Sequence, residues 1–266
     1  QKIEARAMKN NETIRTDITW SNEDRILVHG LDLPLEIIGK FSLGDFAFLE
    51  LTGRKPNEDE SIVFNALAVT LVEHGLTPSV LSTRLTYLGA PESLQGAVAA
   101  GLLGLGNTFA GTMEGAARIL QVHLNKAPDN IDLDAVALSI VQDHRASKSI
   151  IPGIGHNLHK KGDPRTPVLF DLAAQHNLSG RYVDLMKRIE MAAEREFGKR
   201  LPINATGAIG AIGSELGLPW NIMRGIAVMA RSIGLVAHLL EEAKNPMAKP
   251  IWDQIEEQAT KHMREY

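Results

Sequence analysis

From Asp59 onward the apolar side chains recur at helical spacing. Ile62, Val63, Ala66, Leu67, Thr70 and Leu71 fall at i, i+3 and i+4, and Gly75 and Pro78 stop the run, leaving His74 at its C-terminal edge. "TPSVLSTRLTYLG" predicts the next helix, with Thr77 or Ser79 as its cap. An uncharged helix over Ser93–Met113 follows, then "MEGAARILQVHL". After the polar break Asn125–Asp132, Asp132 or Asp134 can cap "LDAVALSIVQDH". "DPRTPVLFDLAAQH" and "GRYVDLMKRIEMAAEREFGK" read as amphipathic helices with polar faces. Lys199–Pro202 is a boundary, and "NATGAIGAIGSELGLP" is a small-residue turn entering a tightly packed helix. Trp220–Lys244 is a long apolar helix, broken by "NPMAKP" before a polar tail helix. Alternation of the strand kind is confined to Thr16–Trp20 and Arg25–Val28, a hairpin around "SNED". The expectation is an all-α fold with a short N-terminal hairpin.

The exposed amphipathic helices cluster between about 128 and 220, with apolar ones on either side. That pattern predicts a large helical domain in two parts, 1–127 and 221–266, with a smaller domain, 128–220, inserted between them and a site in the cleft. The segment "SLQGAVAAGLLGLGNTFAGTM" is long enough to span a bilayer, but Gln95, Asn107 and Thr108 interrupt it and small residues dominate. It reads as a helix buried on all sides, and no membrane partner is expected.

The chain has 266 residues, enough for a sizeable core, and a net charge of −4, which offers no global field for nucleic acid. With no cysteine, disulfides, thiolate metal sites and cysteine nucleophiles are excluded, and a cytoplasmic location fits. The N-terminal residues carry no apolar run of signal-peptide type.

Against this background "SIIPGIGHNLHKKGDPR" (149–165) stands out. Arg145, Lys148, Lys160, Lys161 and Arg165 surround it against one acid, Asp163. Gly153 and Gly155 let the backbone approach a ligand closely. The bland alternative is a helix-to-helix turn with solvated lysines. His156 follows the turn directly and can exchange a proton with an oxygen near neutral pH. His156 and His159 lack the spacing and third ligand of a metal site, so no metal is expected. Arg165 is either an exposed first-turn residue or a ligand for an anion. Arg231 interrupts "GIAVMARSIGLVAHLL", where a guanidinium needs an anion, from the core or from a substrate. His238, seven residues on, reads as a packed core histidine, and Glu73 and Glu114 as charges at a solvent boundary. "GLLGLG" lacks the preceding strand and the spacing of a dinucleotide fingerprint.

With these residues in view the chain resembles the citrate synthase superfamily. The likeness is above all to its short members, the citryl-CoA lyases, and to the C-terminal citryl-CoA lyase module of ATP-citrate lyase. "IIPGIGHNLHKKGDPR" is similar to the family's Gly-x-Gly-His…Asp-Pro-Arg signature. "EHGLTPSVLSTRL" resembles the segment with a substrate-binding histidine, and "MARSIGLVAHLLEE" the segment with a carboxylate-binding arginine. The resemblance implies a citrate-synthase-like homodimer whose smaller lobe closes over coenzyme A and a di- or tricarboxylate. On that basis His74, Arg165 and Arg231 bind carboxylates. Lys148, Pro152, Gly153, Ile154, Gly155 and Lys160 hold the CoA thioester. His156 takes or returns the proton of the tertiary hydroxyl.

Two positions depart from the family pattern. Phe109, in "NTFAGTMEG", stands where citrate synthases carry a second histidine, as it does in ATP-citrate lyase. Thr206, in Asn204-Ala205-Thr206, stands where the family has its catalytic aspartate, and a hydroxyl is too weak a base to remove an α-proton unaided. Three readings follow. Glu114, or a water held by Thr206, handles the enolate proton in a citryl-CoA-type lyase; the pocket works on a different hydroxyacyl-CoA; or the protein binds a CoA thioester without turnover.

Overall fold

A computed structural model describes residues 14–155 and 162–264, and the chain divides into two compact units, 1–56 and 57–266. In the first unit β1 (Thr19–Ser21), β2 (Ile26–Val28) and β3 (Leu31–Asp32) form an antiparallel sheet in that order. Trp20 faces Leu27 and Val28 faces Leu31. A single π turn, Leu33–Ile37, leads to α1 (Leu43–Thr52), which Ser42 caps and which Gly53 ends in the left-handed conformation. Val28, Ile37 and Leu49 are the buried centre of this unit. The hairpin is present with shorter strands than Thr16–Trp20 and Arg25–Val28. The third strand was not foreseen, because two residues are too few to show alternation.

Among the described residues, the second unit's named elements are helices joined by turns and loops. It comprises α2 (Glu58–Val72), α3 (Pro78–Gly89), α4 (Leu94–Leu103), α5 (Gly111–Leu124), α6 (Leu133–Ala146), α7 (Arg165–Gln175), α8 (Arg181–Phe197), α9 (Ala205–Glu215), α10 (Met223–Lys244) and α11 (Ala248–Thr260). Local chemistry explains the starts. Asn57 and Glu60 form a reciprocal capping box on α2, and Asp132 accepts from the N–H groups of Asp134 and Ala135 at α6. Gly180 has no side chain to cap α8, so Glu215 of α9 accepts from the N–H groups of Gly180, Tyr182 and Val183. The small residues of α9 are buried almost end to end, which lets α5 and α8 approach closely.

The uncharged helix expected over Ser93–Met113 is two helices. α4 ends at Leu103, Gly104 to Ala110 form turns, and Glu114 lies in the first turn of α5 rather than at the end of the apolar helix. Glycine has weak helix propensity, and "GLGN" breaks the run. Among the described residues one helix is long and apolar enough to cross a membrane, Trp220–Lys244, opened by a 3₁₀ turn at Trp220–Ile222. That helix is partly buried in the protein.

Candidate active site

The glycine turn is built onto the start of α9. Ile154 bridges Ile203 in antiparallel fashion, the Gly155 N–H donates to Pro202 O at 2.7 Å, and the Asn204 N–H donates to Gly153 O at 3.0 Å. Asn204 ties both sides together. Its Nδ2 donates to Gly155 O at 2.5 Å, while its Oδ1 accepts from the Gly207 N–H and from Thr206 Oγ1 at 2.6 Å. Gly153 has φ +84°, and a Cβ there would lie 2.6 Å from Gly207 Cα. The close backbone approach expected at Gly153 is therefore made to another glycine of this chain. At Gly155, with φ +77°, a Cβ would lie 3.9 Å from Leu201 Cδ2, an ordinary contact.

Asp163 locks the opposite side. Its carboxylate accepts from Arg165 Nε at 2.9 Å and Nη2 at 2.8 Å, from the Arg165 N–H, and from the Ala205 N–H at the start of α9. Burial works to raise the Asp163 pKa, but the Arg165 guanidinium and these N–H groups outweigh it and hold the carboxyl well below the usual range. Arg165 opens α7 with its charge partly neutralised and its side chain part-exposed. Arg231 is different. It is buried, with 9% exposure, and its Nη1 has no hydrogen-bond partner among the described residues. Burial lowers its pKa, Glu73 supports its charge, and nearby Arg165 opposes it.

The remaining expected residues fall around this core. Pro152 packs against α5, where a Cβ at Gly115 would lie 2.9 Å from its ring. Glu114 Oε2 lies 3.0 Å from Arg224 Nε. His74 is exposed, two residues beyond α2. Lys148 follows the end of α6 with φ +51°, a left-handed backbone that costs a non-glycine residue roughly 1 kcal/mol. The Thr206 hydroxyl, as donor to Asn204, braces the turn. Phe109 is half-exposed in the turns before α5. His156 and Lys160 lie outside the described residues, as do His159 and Lys161. Among the described residues no three His, Asp or Glu side chains come together as metal ligands.

Arg84, Glu241 and Glu242, not assigned a role in the sequence, form a network with His238. Arg84 is fully buried in α3, with Nη1 2.8 Å from Glu242 Oε2, and Nη2 bonded to Glu241 and 2.7 Å from His238 Nδ1. His238 Nε2 lies 3.0 Å from Glu73 Oε1, an ion-pair distance without hydrogen-bond alignment. His238 is thus packed, as expected, but tied to Glu73, which is more than a boundary charge. The usable signal was a second arginine, in "STRL", with no acid near it in sequence, set against His-x-x-Glu-Glu on α10.

A family model described as the C-terminal domain of citrate synthase matches residues 40–251. The chain belongs to the citrate synthase family. It is similar to the citryl-CoA lyase of Hydrogenobacter thermophilus, at 32% identity and a TM-score of 0.79 over 87% of each chain. The ATP citrate lyase of Methanothrix soehngenii, solved with citrate and coenzyme A, shares the fold at 21% identity and a TM-score of 0.72, over 89% of this chain and 40% of that one. The citrate synthase of Haloferax volcanii is 27% identical over 205 residues, 75% of this chain and 52% of that relative. The chain spans about half or less of the length of the curated relatives it matches.

Proposed function

We propose that the protein cleaves, or in reverse forms, the carbon–carbon bond of a citrate-type hydroxyacyl-CoA, as a homodimer with residues 128–220 as the closing lobe. The observation that carries this is the buried Arg231 Nη1 without a partner, beside Arg165: a guanidinium pair suited to a substrate carboxylate. His74, Arg165 and Arg231 orient the acid. The CoA thioester lies along Pro152–Gly155 with Lys148 and Lys160 toward its phosphates. His156 takes the tertiary hydroxyl proton, the oxygen becomes a carbonyl, and the C–C electron pair passes into the acetyl-CoA enolate, which a solvent proton completes. Cleavage creates the enolate directly and needs no base for an α-proton, which accommodates Thr206. With Glu114 beside Arg224, a water near Thr206 is the better proton carrier. A stripe of exposed apolar side chains on α10, Met229, Ile233, Val236 and Leu240, supports assembly with a second copy.

The test is incubation with citryl-CoA, read by mass spectrometry. Acetyl-CoA and oxaloacetate are expected from wild type and not from His156→Ala at unchanged fold. Intact citryl-CoA after exposure to folded wild type overturns the activity. Tight binding of the thioester without products would favour the second reading, a CoA-thioester-binding relative, to which the hydroxyl at Thr206 points.

A further inference from the structure

Arg231, Gly234 and His238 follow one another at i, i+3 and i+7 on α10 and so share a face. The end of α2 lies across that face. A Cβ on Gly234 would strike the Val72 carbonyl oxygen and would lie 2.5 Å from Glu73 Oε1. The missing side chain leaves a notch for the Glu73 carboxylate, between the guanidinium of Arg231 and the imidazole of His238.

Arg84 fixes which end of that imidazole faces Glu73. A guanidinium has only donors, so His238 Nδ1, 2.7 Å from Arg84 Nη2, accepts and the ring proton sits on Nε2. Nε2 is the atom 3.0 Å from Glu73 Oε1. Arg84 cannot turn away, because Glu241 and Glu242 hold its guanidinium.

The geometry points to Glu73 and His238 as positioning residues of the carboxylate site. The N–H end of the imidazole faces Glu73 in the Gly234 notch at ion-pair distance, without hydrogen-bond alignment, and attracts its carboxylate there, where the charge of Glu73 supports Arg231 and its backbone runs straight into His74. This inference rests on the reading of Arg231 and His74 as carboxylate-binding residues. Neither positioning residue touches substrate. Released from His238, the half-exposed Glu73 would swing toward water, leaving the repulsion between Arg165 and Arg231 unopposed.

The experiment compares His238→Leu, His238→Gln and wild type in citryl-CoA cleavage, with thermal unfolding alongside. Leucine is expected to raise KM about tenfold while kcat stays within about threefold, the pattern of lost uniform binding. Glutamine, which keeps an N–H near the position of Nε2, is expected to restore KM to within about threefold. A purely structural role would not give that split or that rescue. Wild-type KM in folded His238→Leu overturns the inference, as does a glutamine variant no better than leucine. If leucine prevents folding, Glu73→Gln replaces it, with the same rise expected and an unchanged KM overturning the inference. A wild type inert toward citryl-CoA ends the functional reading instead. Nitrogen NMR of the His238 ring then decides: a proton on Nδ1 overturns the relay, and a proton on Nε2 retains it as a brace for the Arg231 pocket.

Discussion

Arg84 and Arg231 are both buried arginines at the α10 surface, each with one nitrogen lacking a hydrogen-bond partner among the described residues (Nε of Arg84, Nη1 of Arg231), and they differ at the tips of their guanidinium groups. Arg84 finds its anions within the chain: Glu242, Glu241 and the acceptor nitrogen of His238 surround its terminal nitrogens. Burial alone would raise the Glu242 pKa, but the Ala248 N–H, Arg84 and the Met247 N–H together lower it, so the carboxylate is held charged inside the protein. Arg231 has Glu73 near it, Arg165 against it, and a terminal nitrogen with no partner among the described residues. A buried cation whose tip is paired with acids of its own chain joins α3 to α10 and the start of α11. An unsatisfied one costs stability and is worth keeping where an outside anion completes it.

The largest effect is expected from breaking the paired set. Arg84→Met leaves Glu242 buried beside an apolar chain, at a cost of about 3–5 kcal/mol in urea unfolding. A loss under about 1 kcal/mol would show that the network is no more than a surface ion pair. Arg231→Leu is expected to do the opposite. Stability should stay within about 1 kcal/mol of wild type, or rise, because an isolated buried charge has been removed. Citryl-CoA turnover should fall on the order of 100-fold, the loss of a charged contact to substrate. If the leucine variant unfolds as Arg84→Met does and keeps its activity, the contrast between the two arginines is wrong.

Much of this was legible in the chain, and the failures have physical causes. Helical periodicity and caps such as Asp132 gave the all-α class, and the cost of a charge in an apolar run marked Arg231. Arg84 could not be marked in the same way. Its partner Glu242 is 158 positions away, and only the packing of α3 on α10 brings them together. The notch at Gly234 was hidden too, since a glycine in a helix shows nothing of what lies across it. The turn at 153–155 was readable as special, but its grip on α9 through Asn204 depends on tertiary contacts. The glycine turn and the buried Arg231 were visible in the sequence, and the bracing around them was not.

Asp163 sharpens the comparison from the side of the acid. Its carboxylate serves Arg165 and the start of α9 at once, so Asp163→Asn is expected to cost about 2 kcal/mol at neutral pH, the range for a charged hydrogen-bonded group. Because the folded pKa lies below the unfolded one, this contribution is complete above the ordinary aspartate value near ~3.9 and is lost as pH falls through the lower folded value. The gap between wild type and variant should therefore persist to about pH 4 and close only in stronger acid. A gap that closes between pH 7 and pH 5 would mean that Asp163 is not held ionised by its partners.

The smallest effect is expected at Arg145, a cation with a partner but without burial. Its Nη1 lies 2.7 Å from Glu196 Oε2, yet its side chain is 57% exposed. Water screens such a pair, and Arg145→Gln should cost under about 1 kcal/mol. If pairing alone made Arg84 important, Arg145 would matter comparably, so a small loss here isolates burial as the deciding factor. Arg145 also belongs to the positive cluster that brackets the glycine turn. Should it serve CoA phosphates, Arg145→Gln would raise KM for the thioester while leaving the unfolding curve in place, and raised salt would weaken wild type toward the variant's value. Unchanged KM and unchanged salt dependence would confine Arg145 to its exposed pair with Glu196 and leave phosphate recognition to the lysines.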